Sequence, residues 1–223
     1  MIARIGAALV ALSCLAPTFS SAGVIRGTLT VPRGAVTAAT ANPYPGRANS
    51  LAGAHGVMHG LVTDAVVYVD RIPAAAESAL AAVRAKPPTL AQKDQAFVPR
   101  VVAIAAGSRV EFPNLDPIYH NVFSLSPPRR FDLGKYPKGQ SKHVQFPDSG
   151  LVNVYCDIHS GMEAFILVLP HHAFARPKAS GDFALPDLPA GTYRLMVWHP
   201  DFGTHSSTVV VPGEGAVAVD LDF

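Results

Sequence analysis

Short runs rich in β-branched residues, each closed off by Gly, Pro, Asn or Asp, recur along most of this chain and leave it few folds to choose from. They cover Val24–Val31, Ala65–Val69, Val98–Ile104, Arg109–Phe112, His143–Phe146, Leu151–Tyr155, Ala164–Leu169, Tyr193–Val197, Ser207–Val211 and Ala216–Leu221. Runs of this length bounded by turn-forming residues read as strands. Twenty prolines among 223 residues point the same way, because each fixes φ and withdraws a backbone donor from any helix it would join. One stretch, Ala74–Ala85, has helical composition, with Glu77 and Arg84 between Pro73 and Pro87. The expected class is all-β, with β-sandwiches as the usual arrangement of many short strands. Arg33–Gly60 shows no period and reads as loop, and Pro170–Ser180 reads as a connector between two units.

The first 22 residues do not read as fold. Arg4, the apolar run Ile5–Ala16 and the small residues Ser20-Ser21-Ala22 have the layout of a secretory signal. No later stretch reaches about 18 consecutive apolar residues, so no stable membrane insertion is expected. Charged residues make up 15% of the chain and apolar ones 49%, which is the balance of a packed globular protein. The formal charge of +2 falls to +1 without Arg4, which gives no global attraction to nucleic acid. Of the two cysteines, Cys14 leaves with the signal and Cys156 remains alone in an oxidising compartment. A lone exported thiol is a core filler, an intermolecular bridge, a nucleophile or a metal ligand. The exposure of a bare reactive thiol to oxidation favours the ligand.

Cys156 sits in the stretch Asn153-Val154-Tyr155-Cys156-Asp157-Ile158-His159-Ser160-Gly161-Met162. Alternation through Leu151–Tyr155 puts Val152, Val154 and Cys156 on one inward face. Asp157–Gly161 then turns, with Gly161 available for unusual dihedrals, and Met162 leads into the next strand. Such a loop aims a thiolate, an imidazole and a thioether at one point. His120, after a strand and a turn, is the fourth donor available. Two imidazoles and a thiolate with a weak thioether select copper, since sulfur holds Cu(I) and imidazole also suits Cu(II). Zinc is the rival metal, but methionine is a poor zinc ligand.

Asn114-Leu115-Asp116, His120-Asn121-Val122 and Cys156-x-x-His159-x-x-Met162 together resemble the cupredoxins, and the ligand-loop spacing is similar to that of the amicyanin group. Framework positions agree: Phe97-x-Pro99, Gly107 before Val110-x-Phe112, Phe131-Asp132-x-Gly134, Gly139 with Phe146, and Gly150 before Tyr155-Cys156. The resemblance covers Phe97–Leu169, extendable to Ala65. It implies a Greek-key β-sandwich with one mononuclear copper site cycling between Cu(I) and Cu(II). His120, Cys156 and His159 would be equatorial ligands and Met162 the axial one. Asn121 would tie the two ligand loops together behind the ligands, and His159 would be the more exposed electron port.

The C-terminal run Gly181-x-Phe183-x-Leu185-x-x-Leu188-Pro189-x-Gly191-x-Tyr193-x-Leu195-x-Val197 resembles carboxypeptidase regulatory-like domains, which are small transthyretin-like (Ig-like) β-sandwiches. The segment is short for an independent core, so Val24–Val31 is expected to pair near it. The domain reading is a signal at 1–22, an N-terminal strand and flexible loop at 23–64, a cupredoxin-like unit at 65–170 and the accessory sandwich at 171–223. Weaker signals read as solvated chain: His55-Gly56-Val57-Met58-His59, His171-His172, and the basic loop Arg129–Lys142. That loop could also steer an acidic partner.

The function these readings imply is a periplasmic type 1 copper protein carrying single electrons between redox proteins, and not an enzyme. The chain has no G-x-S-x-G, phosphate loop or zinc-hydrolase helix. A copper carrier or storage protein using the same ligands is the alternative. A metal-free structural module and a thiol enzyme built on Cys156 and His159 are further ones.

Overall fold

The computed structural model describes residues 22–32, 60–83 and 86–223. Residues 1–21 of the signal segment, the loop after Arg33 and the His55–His59 cluster lie outside the described residues. From the N-terminal side, β1 (Ala22–Thr30) precedes a 3-10 turn (Val62–Asp64), β2 (Val66–Val69) and α1 (Ala74–Ala81). A central run follows: β3 (Ala91–Lys93), β4 (Ala96–Val98), β5 (Val101–Ala105), β6 (Ser108–Pro113), β7 (His120–Ser124), β8 (Phe131–Tyr136), β9 (Ser141–Phe146), β10 (Gly150–Tyr155) and β11 (Glu163–Leu169). The chain closes with β12 (Phe174–Ala175), β13 (Asp182–Ala184), β14 (Leu188–Pro189), β15 (Gly191–His199), β16 (Gly203–Val211) and β17 (Ala216–Asp222). The class is all-β, as the β-branched runs require.

The central strands form one unit. A five-stranded sheet of order β5-β11-β10-β7-β8 is accompanied by the β6-β9 pair. The β3-β4 hairpin joins β6 through the bridges Thr89↔Glu111 and Gln92↔Asn114. Alternation sends Val102, Ile104, Val110, Phe112, Val144, Phe146, Val152, Val154, Ala164 and Ile166 into one core, where each is buried. Val98–Ile104, expected as one strand, is two, interrupted at Pro99 and Arg100. Proline withdraws a ladder donor there, and Arg100 keeps its carbonyl bonded to the Phe165 amide while its side chain turns to ion pairs.

The remaining strands form a flanking unit. One sheet has the order β12-β2-β15-β16, and the other pairs β1 with β13, β14 and β17. β1 and β17 run parallel from Val24↔Ala216 to Thr30↔Asp222. Within this pairing Gly27 has no room for a side chain, because a Cβ there would run into the Val219 carbonyl oxygen. The sequence reading grouped Ala65–Val69 with the cupredoxin-like unit, whereas β2 pairs with β15 from Val66↔Trp198 to Val69↔Leu195. Hydrophobic alternation specifies that a strand has a buried face, not which sheet receives it. The connector Pro170–Ser180 supplies β12, which pairs with Val67 and Tyr68. His171 in it is buried rather than solvated, and His172 Nδ1 lies 2.7 Å from Glu77 Oε1, docking α1.

The two units are joined by a buried seam and an ion cluster. Val66 meets Val101, Leu167 and Leu169, with Phe165 and Trp198 packed alongside. Arg100 of the central unit reaches into the flanking one, donating to both carboxylate oxygens of Asp201 at 2.8 and 2.9 Å and to Asp64 at 3.4 Å. Burial works against this charge, but Asp201, Asp64 and Glu163 outweigh it and raise the guanidinium pKa. Arg100→Ala strands two buried carboxylates, so a loss of about 3–5 kcal/mol in urea-unfolding free energy is expected.

His199, fully buried, has both ring nitrogens occupied in its neutral form. Nε2–H donates to the Leu61 carbonyl, and Nδ1 accepts from the Asp201 amide, each at 3.0 Å. Burial pushes its pKa below the ordinary value. The unfolded chain therefore takes up the proton first, and folded stability is lost as pH falls below about 6.5. Urea midpoints measured between pH 7.5 and 5 should decline, and the decline should be shallower in His199→Asn.

Candidate metal centre

Two loops at one end of the central core carry the candidate ligands. His120 is the first residue of β7, fixed by its pairing with Tyr136. Cys156 follows β10 directly and Met162 precedes β11, so the Tyr155↔Glu163 pair clasps the base of the loop between them. Inside it, the Met162 amide donates to the His159 carbonyl at 3.0 Å. Gly161 turns this loop without a positive φ, contrary to expectation.

The structure brings His120, Cys156 and His159 together. Cys156 Sγ lies 4.0 Å from His120 Nδ1 and 3.9 Å from His159 Nδ1, and the two Nδ1 atoms are 3.0 Å apart. Bond lengths of about 2.0 Å to imidazole and 2.3 Å to thiolate span a triangle of this size. Among the described residues this is the one such cluster. Cys156 and His120 are buried, and His159 is partly exposed. Met162, 1% exposed, packs in the same core cluster as Cys156. Among the described residues Cys156 has no disulfide partner.

Protonation follows from hydrogen bonding. His120 Nε2 lies 2.7 Å from Asp116 Oδ2, so Nε2 carries the proton and the Nδ1 lone pair faces the cluster. Burial first, and then His120, hold the His159 imidazole below its usual pKa, which keeps it available as a neutral donor. Two imidazole nitrogens and a sulfur that converge in a buried site are a donor set suited to a soft cation.

Asp116 received no role from the sequence, yet it organises the site. Its carboxylate accepts the amides of Asp94 and Gln95 at 2.6 and 2.9 Å as well as the His120 ring proton. Asp94 and Gln95 have φ of 54° and 57°, the left-handed turn that non-glycine residues adopt at a cost, and the carboxylate offsets it. Burial opposes the charge, but the Gln95 amide and His120, with Asp94, hold the Asp116 carboxyl below its ordinary pKa. Asn114 supports Asp116 by accepting its amide at 2.9 Å and donating to the Ile118 and Tyr136 carbonyls. The available signal was a carboxylate four residues before a histidine in an Asn-x-Asp turn. Asn121 Oδ1 accepts the Asp157 amide at 3.1 Å, and its Nδ2 donates to Asp132 at 2.7 Å. His171 and His172 lie outside this cluster.

No protein-family model and no curated protein matches the chain. Solved structures do. A copper-containing nitrite reductase from Thermus scotoductus SA-01 is 26% identical over 39% of this chain, with a TM-score of 0.36. The match spans 23% of the reductase's length. A reduced amicyanin variant is 18% identical, covering 40% of this chain and 88% of its own, with a TM-score of 0.35. A purple cupredoxin from Nitrosopumilus maritimus is 18% identical, covering 36% of this chain and 98% of its own, with a TM-score of 0.33. These likenesses are partial, and the chemistry of the site stands on its own distances.

Asp116→Ala removes the partner of the His120 ring and of two backbone amides. A loss of about 10–100-fold in metal affinity and of about 1–3 kcal/mol in stability is expected, measured by competitive titration with a Cu(I) chelator and by urea unfolding of the metal-free protein.

Proposed function

We propose that this chain is a type 1 copper protein that carries single electrons between redox proteins. The observation that carries the reading is the convergence of Cys156 Sγ with the Nδ1 atoms of His120 and His159. Met162 is the candidate axial donor at the same end of the core. Held by these side chains, copper supplies one-electron chemistry between Cu(I) and Cu(II). The chain's own part is to keep the donors still. The Asp116–His120 bond, the Asn121–Asp157 tie and the clasped loop fix them from three sides, so a change of charge moves little.

The partly exposed His159 edge is the natural point of electron entry and exit. Ile158 beside it, and Leu115, Ile118 and Tyr119 in the loop leading to His120, are exposed apolar residues. Such a collar can exclude water when a partner docks. Arg130, Lys135 and Lys138 are exposed on the neighbouring β8 region and suit an acidic partner. The signal-like segment supports a periplasmic location. The resemblance of the Gly181–Val197 sequence run to regulatory-like domains supports a scaffold role.

One equivalent of Cu(II) added to the mature chain should give an intense thiolate-to-copper visible band and a narrow-hyperfine EPR signal, both lost in Cys156→Ser. A colourless product, or oxidation of Cys156, would count against the reading. Ready release of Cu(I) to an acceptor would instead point to a copper carrier.

A further inference from the structure

Arg100, buried in the seam, faces two ways. Its fork closes on both carboxylate oxygens of Asp201 in the flanking unit, at 2.8 and 2.9 Å. On the other side it holds the start of β11. Its Nη2 lies 3.9 Å from Glu163 Oε2. The Arg100 carbonyl accepts the Phe165 amide at 2.9 Å, and the guanidinium lies over the Phe165 ring, 5.1 Å from its centroid. Glu163 follows Met162 in the chain and is the cross-strand partner of Tyr155, which precedes Cys156. The pair that clasps the base of the ligand loop is therefore the pair beside which Arg100 is anchored. Stability does not account for an arginine here. Its Nε is buried without a hydrogen-bond partner among the described residues, and apolar residues of similar volume commonly fill such a seam at no cost in stability. A planar fork does what they cannot, since it fixes direction as well as distance.

We infer that Arg100 is a positioning residue for the metal centre, through which the flanking unit sets the base of the ligand loop. As a statement about copper this rests on the one-electron reading above. As a statement about the loop it rests on the contacts just given. Asp201 fixes the guanidinium, and the guanidinium and the Arg100 carbonyl fix Glu163 and Phe165. Glu163, paired with Tyr155, then fixes the separation of the two loop ends, which carry Cys156 and Met162. Cu(I) and Cu(II) differ in the donor arrangement they prefer. A loop with a held base keeps one spacing for both, and a loop with a loosened base relaxes toward either. The relative affinity of the site for the two oxidation states therefore depends on a side chain that the other unit anchors. The flanking unit is then part of the support of the site and not only an appended scaffold.

The test compares Asp201→Asn in the flanking unit, Glu163→Gln in the central one and the two together, all in the full mature chain. In the metal-free protein the Met162 amide closes the loop on the His159 carbonyl, and its hydrogen exchange should speed up about tenfold in each single variant. The double variant should match the larger single effect, because both substitutions act through one guanidinium. Amides of β9 should exchange as before, which separates a loosened loop from a loosened unit. In the copper-loaded protein the ratio of Cu(I) to Cu(II) affinity, from competitive chelator titrations, should change about fivefold in each single variant. Arg100→Lys keeps the charge and loses the fork. It should behave like the single variants, and it carries the test if Asp201→Asn does not fold. Unchanged Met162 exchange in folded Asp201→Asn or Arg100→Lys would overturn the inference, as would single effects that multiply in the double variant. If no thiolate-to-copper band develops, the copper reading falls, while exchange in the metal-free chain still decides whether Arg100 sets the loop.

Discussion

One carboxylate holds the candidate site in place. Asp116 accepts the two amides of a left-handed hairpin tip and the ring proton of His120, and its own amide is held by Asn114. These bonds join the hairpin tip at residues 94–95 to the segment 114–120. They also settle which ring nitrogen of His120 faces the cluster. A carboxylate able to rotate would leave that ring free to flip, and the Nδ1 atom now 3.0 Å from its counterpart on His159 would have no fixed direction. The position of Cys156 depends less on such bonds. It follows from strand alternation, which is set by the buried faces of Val152 and Val154.

The joint between the units is built differently from either core. Its apolar part is small, and its specificity comes from Arg100 with Asp64 and Asp201. A buried ion pair of this kind contributes modest net stability while penalising every arrangement that leaves a charge alone. It therefore fixes how the two sheets meet. The same arginine covers the Phe165 ring, so the polar and aromatic parts of the seam are one construction.

Most of the candidate donor cluster was legible in the sequence because it is local. Cys156, His159 and Met162 fall within one loop, and His120 with Asn121 opens a strand. β7 and β8 were not legible as strands. His120-Asn121-Val122-Phe123-Ser124 and Phe131-Asp132-Leu133-Gly134-Lys135-Tyr136 mix polar and apolar residues at positions set by the site and by a register shift between Asn121 and Phe123. Alternation is lost where function and irregular pairing override it. Partner choice was harder to see. Val66-Val67-Tyr68-Val69 is apolar throughout and suits either sheet, and only the fold shows that it pairs with β15. The buried side of His171 and the docking of Glu77 on His172 were equally invisible, since composition alone gives a histidine pair no direction.

The parallel pairing of β1 with β17 joins residues near the two ends of the described chain. The flanking sheet is incomplete until the last strand has been synthesised, whereas the central unit is continuous from residue 86 to 169. An insert that has already collapsed brings its own ends together, which shortens the loop the outer strands must close, and closure entropy grows only slowly with length in any case. The assembly order this favours is nested. The loops that hold sulfur and imidazole can mature on the nascent chain before the sheet around them exists, and the frame closes over a finished insert.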